Sequence, residues 1–99
     1  MASPEGDAVF LWRYDMDRRV ALLGIVVEQE SSAEPVNHIL TGYKEFVVGR
    51  MGIPYRERGV NIISVVLDAP AEALSALSGK LGMLPGVTAK TLYAKLPEA

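Results

Sequence analysis

The stretch Arg18–Glu28 (RRVALLGIVVE) decides how this chain folds. It is β-branched, bounded by charge, and followed by Ser31-Ser32, so it reads as a strand. Val20, Leu22 and Val26 fall on one side of it, and Ala21, Leu23, Ile25 and Val27 on the other. A strand with one wet face alternates apolar with polar residues. This one is apolar on both. Val60–Asp68 (VNIISVVLD) repeats the pattern, with Ile62 and Val66 on one side and Ile63, Val65 and Leu67 on the other.

Outward from these two strands the remaining elements fall into place. Ser31 and Glu34 have capping-box spacing, while Ser32 as the cap puts Pro35 in the first helical turn. Val36, Ile39, Leu40 and Tyr43 then form one apolar helix face, ending near Gly42–Tyr43. Phe46–Tyr55 (FVVGRMGIPY) reads as a strand, and Pro54 assigns it to an edge because proline cannot donate to a ladder. Arg56–Gly59 is a turn. Asp68-Ala69-Pro70 opens a second helix, with Asp68 or Ala69 as cap, running to about Gly82. Pro85-Gly86 turns the chain into a last strand, Val87–Leu96. The order β-α-β-β-α-β specifies an α+β ferredoxin-like plait: a four-stranded antiparallel sheet with two helices on one face.

Such a plait places its first and third strands in the middle, yet two helices cover one face only. The expected cover for the other is a second copy of the chain, giving a homodimer or higher oligomer. Its interface is either Val20, Leu22, Val26, Ile62 and Val66, or the opposite set Leu23, Ile25, Val27, Ile63 and Val65. Each such side chain buried contributes roughly 1.5–3 kcal/mol, so a handful offsets the cost of association. The alternative cover is Ala8–Tyr14 (AVFLWRY), where Phe10, Leu11 and Trp12 could fold back over the sheet. Residues 1–15 read as an upstream extension, either frayed or docked on a neighbour, and residues 16–99 as the domain.

Composition narrows the functions open to the chain. Its 99 residues fit one domain. There is no cysteine, which excludes disulfides, thiolate metal sites and cysteine nucleophiles, and the one histidine, His38, cannot build a multi-histidine metal site. Ten basic against twelve acidic residues give a net charge of −2, so no basic field draws in nucleic acid. No apolar run reaches the ~18 residues that span a bilayer, and a signal-peptide core is not evident, so the expectation is a soluble cytoplasmic protein.

Residues that could carry chemistry are few and scattered. His38 lies off the apolar face of the first helix, and the carboxylates are scattered without a base or metal ligand beside them. Ser78-Gly79-Lys80 ends like a phosphate loop, but Leu74 and Leu81 stand where glycine and Ser/Thr are required. Ala71, Ser75, Ser78 and Gly82 make a stripe of small residues on the second helix, with Gly79 beside it. Helical glycine costs about 1 kcal/mol against alanine, so a close approach is expected there, from the other helix or from a ligand. Arg50, Arg56 and Arg58 lie on or near the hairpin with Tyr55. They either clamp an anion bidentately or form a solvated rim that blunts the edge strand.

From about Met16 onward the chain resembles a known group. The residues that carry the likeness are Val36-Asn37, Arg50–Glu57 (RMGIPYRE), Ala76–Gly82 (ALSGKLG), Gly86-Val87 and Lys90-Thr91. They are similar to those of small proteins described as iron-only hydrogenase system regulators. These are ACT-like ferredoxin plaits related in fold to the ligand-sensing C-terminal domain of nickel-responsive regulators. The resemblance implies a regulatory, oligomerising domain rather than an enzyme. It implies a small-molecule effector or a protein partner, with Arg50, Arg56, Ser78, Gly79 and Lys80 as ligand candidates and no cofactor. Two departures matter. Nickel sensing uses cysteine and several histidines, which this chain lacks. The acidic-Pro-Gly loop typical of amino-acid-sensing ACT domains is replaced by Glu28–Ser32 (EQESS). The ribbon-helix-helix of the nickel regulators has no counterpart in residues 1–15, so direct DNA binding is not expected. Two other readings compete: a small dimeric ferredoxin-like enzyme using Asn61, Ser64 or His38, and a metal-handling or maturation partner.

Overall fold

The structure, a computed structural model, describes residues 18–95. The proposed extension over residues 1–15, with its Phe10-Leu11-Trp12 patch, lies outside the described residues, as does Leu96.

Four strands, β1 (Arg18–Val27), β2 (Val47–Tyr55), β3 (Val60–Pro70) and β4 (Val87–Tyr93), form one sheet in the order β2-β3-β1-β4. Every neighbouring pair is antiparallel. The helices α1 (Ala33–Thr41) and α2 (Ala71–Gly82) supply Val36, Leu40, Leu74, Leu77 and Leu81 to the core. This is the ferredoxin-like plait that the element order specifies, with the two apolar strands in the middle and β2 at an edge. Short 3-10 turns at Glu30–Ser32, Lys44–Phe46 and Arg56–Arg58 make the connections.

The helices choose one face of the sheet. Ala21, Leu23, Ile25 and Val27 of β1 are buried, as are Ile63, Val65, Leu67 and Ala69 of β3. The side chains between them in sequence point away from the helices. Leu23, Ile25, Val27, Ile63 and Val65 are therefore the core, and the other set, Val20, Leu22, Val26, Ile62 and Val66, lies on the open face.

Local details depart from the sequence reading in several places. β3 runs on to Pro70, which caps α2 in extended backbone (φ −59°, ψ 146°), so neither Asp68 nor Ala69 is the cap. Asp68 is engaged elsewhere: its carboxylate accepts from Arg18 Nε at 3.2 Å, and Arg18 Nη2 donates to its backbone carbonyl at 2.9 Å. Ser32 occupies the cap position of α1 but makes no capping bond. Its buried hydroxyl donates instead to the Pro85 carbonyl at 2.6 Å, tying the entry of α1 to the turn before β4. Phe46 ends a 3-10 turn rather than starting β2. β4 stops at Tyr93, although the Ala94 N–H still donates to the Val20 carbonyl at 2.9 Å. No described residue approaches the small stripe of α2 at its glycines: a Cβ on Gly79 or Gly82 would meet none of them within 4 Å.

Gly86 is a glycine the fold needs. Its φ is +65°, and a Cβ there would lie 2.7 Å from Gln29 Cγ and 3.1 Å from the Gln29 backbone nitrogen. Its carbonyl accepts the Glu28 N–H at 2.7 Å, locking the end of β1 to the start of β4. Left-handed backbone costs an L-residue about 1–2 kcal/mol before any crowding. Gly86→Ala is therefore expected to lower the Tm by roughly 10 °C, read by thermal denaturation. A shift under about 2 °C would mean the turn relaxes freely.

Candidate interaction surface

The register of the sheet arranges its open face in rows across the strands. One row is Ile53, Ile62, Val26 and Thr88; the next is Met51, Ser64, Gly24 and Lys90; the third is Gly49, Val66, Leu22 and Leu92. The large members are exposed, Met51 at 59% and Leu92 at 68%, with Leu22, Ile53 and Ile62 also open. The charged groups on this face are peripheral: the Arg18–Asp68 pair at one end and Lys90 on the edge strand β4. An uncharged apolar centre with charge at the margin is the composition of an interface core with its rim.

β2 and β4 enlarge the surface beyond the central strands considered from sequence. Met51, Ile53, Tyr55 and Leu92 belong to it. The i, i+2 spacing of Met51, Ile53 and Tyr55 carried that signal, obscured by the glycines and proline interleaved with it.

The five ligand candidates sit in different settings. Arg50 is on the helix side of β2, where its Nη2 donates to Asn37 Oδ1 of α1 at 2.8 Å. Arg56 and Arg58 lie exposed in the turn after β2. Ser78, Gly79 and Lys80 lie in the helical body of α2, not in a loop, with Ser78 half-buried and the other two exposed. The Lys80 ammonium stands 5.0 Å from the centre of the Tyr43 ring, a cation–π contact between α2 and the end of α1. Arg50 and Lys80 thus each tie a different element to α1 or its end, a positioning that sequence reasoning missed because both partners are distant in the chain.

Among the described residues the interior is apolar apart from Ser32, whose hydroxyl is already used by Pro85. Asn61 and Ser64, the polar residues of β3 considered for a pocket, are half-buried on opposite sides of the strand. His38 is exposed on α1. Among the described residues no group of three His, Cys, Asp or Glu side chains is placed to hold a metal, and no helix is long and apolar enough to cross a membrane.

Comparison with known proteins fits this architecture. No curated protein matches the chain. Among solved structures it is similar to "uncharacterized protein TM1266 from Thermotoga maritima", at 39% identity and a TM-score of 0.76, over 79% of this chain and 99% of that one. The matching family model is described as "TM1266-like: Iron-only hydrogenase system regulator, putative" and spans residues 19–91, from the start of β1 into β4. The chain belongs to this TM1266-like family.

Proposed function

We propose that the protein is a non-enzymatic regulatory domain of an iron-only hydrogenase system, working in the cytoplasm as a homo-oligomer. It senses a small molecule or presents a surface to a protein partner. The observation that carries this reading is the open sheet face, apolar at its centre and charged at its margin. The family description supports the regulatory role. The apolar interior of the described residues, whose one buried hydroxyl is already bonded, supports a binding module over a catalyst.

Two measurements on the purified chain test the proposal. Light scattering over a dilution series is expected to give at least twice the 10.7 kDa protomer mass. A thermal-shift screen of amino acids, nucleotides and divalent metals tests sensing. A ligand at about a hundred times its Kd adds about 2.7 kcal/mol, enough to raise the Tm of a domain this size by 10 °C or more. Stabilisation by one chemical class identifies the effector class, while a flat screen assigns the domain to the partner-surface role. A 10.7 kDa mass at every concentration overturns the oligomeric reading.

A further inference from the structure

Gly24 has no explanation among the described residues. It sits in the middle of a central strand, where glycine gives up both packing and backbone entropy. Its φ is not positive, and a Cβ there would have its nearest neighbour, the Lys90 carbonyl oxygen, at 4.0 Å. Gly49 on the same face has equal room, with no described residue within 4 Å. Both would accept a larger residue, and strand interiors favour β-branched ones. A strand glycine that sits at no bulge, as Gly24 does in its register with β3 and β4, is the kind of position where a ligand or another backbone comes close.

The rows of the open face show what fits. The row Met51, Ser64, Gly24, Lys90 reads large, small, small, long across the sheet. The adjacent row Gly49, Val66, Leu22, Leu92 reads small, large, large, large. The two rows are about 7 Å apart along the strands. A twofold axis lying in the interface between them brings each row of one copy over the other row of its partner. Met51 then meets Gly49 of the second copy, Val66 meets Ser64, Leu22 meets Gly24, and Leu92 lies along the aliphatic stem of Lys90. Big faces small at three of four positions, and the fourth buries methylene under a charge that stays at the edge. Placing the axis one row over would set Met51 against Ile53, large against large, and leave large against small only where Ile62 meets Ser64 and Val26 meets Gly24.

We infer that two copies of this chain meet by the open faces of their sheets, about a twofold axis between the Gly24 row and the Leu22 row. The inference rests on the oligomeric reading above and adds its surface and its register. The occupant is a second copy because one surface carries both knobs and holes, as an isologous contact requires. The size agrees: the large side chains of this face expose on the order of 600 Å² per protomer, near the ~800 Å² per partner of a standard interface once Val20, Val26, Thr88 and Lys90 are added. The strands of the two sheets run close to aligned, as in face-to-face sandwiches.

The test is a set of substitutions in the full chain, read by light scattering with far-UV circular dichroism as the check on folding. Gly24→Leu fills the hole opposite Leu22 in both copies, and the dimer Kd is expected to rise at least about 100-fold, leaving folded protomers. The swap Leu22→Gly with Gly24→Leu exchanges knob and hole and is expected to restore the dimer. Gly52→Val is the control, because Gly52 is on the helix side of β2 with open space around it, and it should leave the mass unchanged. A Gly24→Leu variant that stays dimeric, or a swap that stays monomeric, overturns the row pairing while the oligomeric reading stands. A wild-type chain that is monomeric throughout, its sheet covered by Ala8–Tyr14 or by another protein, overturns both. The swap also separates lost complementarity from lost folding, since a merely misfolded Gly24→Leu chain would not recover when a second glycine is introduced.

Discussion

Val65→Lys is expected to leave no folded protein. Val65 is fully enclosed in the middle of β3, against the helices, with Leu23 of β1 and Arg50 of β2 as its cross-strand neighbours. The substitution forfeits about 1.5–3 kcal/mol of apolar burial and adds several more for placing an ammonium, or a neutralised amine, without partners in the core. Domains of this size hold only about 5–15 kcal/mol in total, near the lower end when small. The measurement is thermal or urea denaturation by circular dichroism, where the cooperative transition should disappear. A folded variant with a Tm within about 10 °C of the parent would mean that β3 presents its other face to the helices.

Val66→Lys, one residue along, is expected to do something different. Val66 is 37% exposed on the open face, between Gly49 and Leu22. In a lone protomer the new ammonium reaches water and the chain folds with a cooperative transition. In the proposed face-to-face pair it would meet the partner sheet, and symmetry would count the damage twice. Losing even 1.5 kcal/mol per copy weakens the dimer by at least about 100-fold. Light scattering should show the protomer mass, with a Tm that no longer depends on protein concentration. An unchanged mass would move the association off this face. The two neighbours together separate the surface that folds the chain from the surface proposed to join copies of it.

The architecture was readable because its signals are local and periodic. Continuous β-branched apolar runs at Arg18–Glu28 and Val60–Asp68, a 3.6-residue face through Val36 and Leu40, and proline in β2 give the element order and the edge. What escaped depends on partners far along the chain. Asp68 looked like a helix cap until Arg18, fifty residues away, claimed its carboxylate. The Ser32 hydroxyl goes to Pro85, fifty-three residues on, instead of back to its own helix. Which face of the sheet the helices cover was undetermined because both are apolar, although Gly24 held the answer: the face it interrupts offers the poorer core. Arg50 and Lys80 stood out by charge alone, while their neighbours Asn37 and Tyr43 emerge only from the packing of α1 and its end.

The place of β1 in the sheet also bears on how the chain acquires its shape. β1 pairs with β3 and β4 and with no strand adjacent to it in sequence. The β2–β3 hairpin can close locally, but β1 must wait for contacts running from Asn61 to Tyr93, and such long-range closure slows folding. During synthesis Val20–Val27, eight residues without a charge, emerges well before either of its partner strands. A stretch of that composition left waiting is prone to pair with its like in other nascent chains. Arg18 and Arg19 before it and Glu28 after it are then gatekeepers, whose charges keep an unfinished strand from aggregating until its own sheet is ready to receive it.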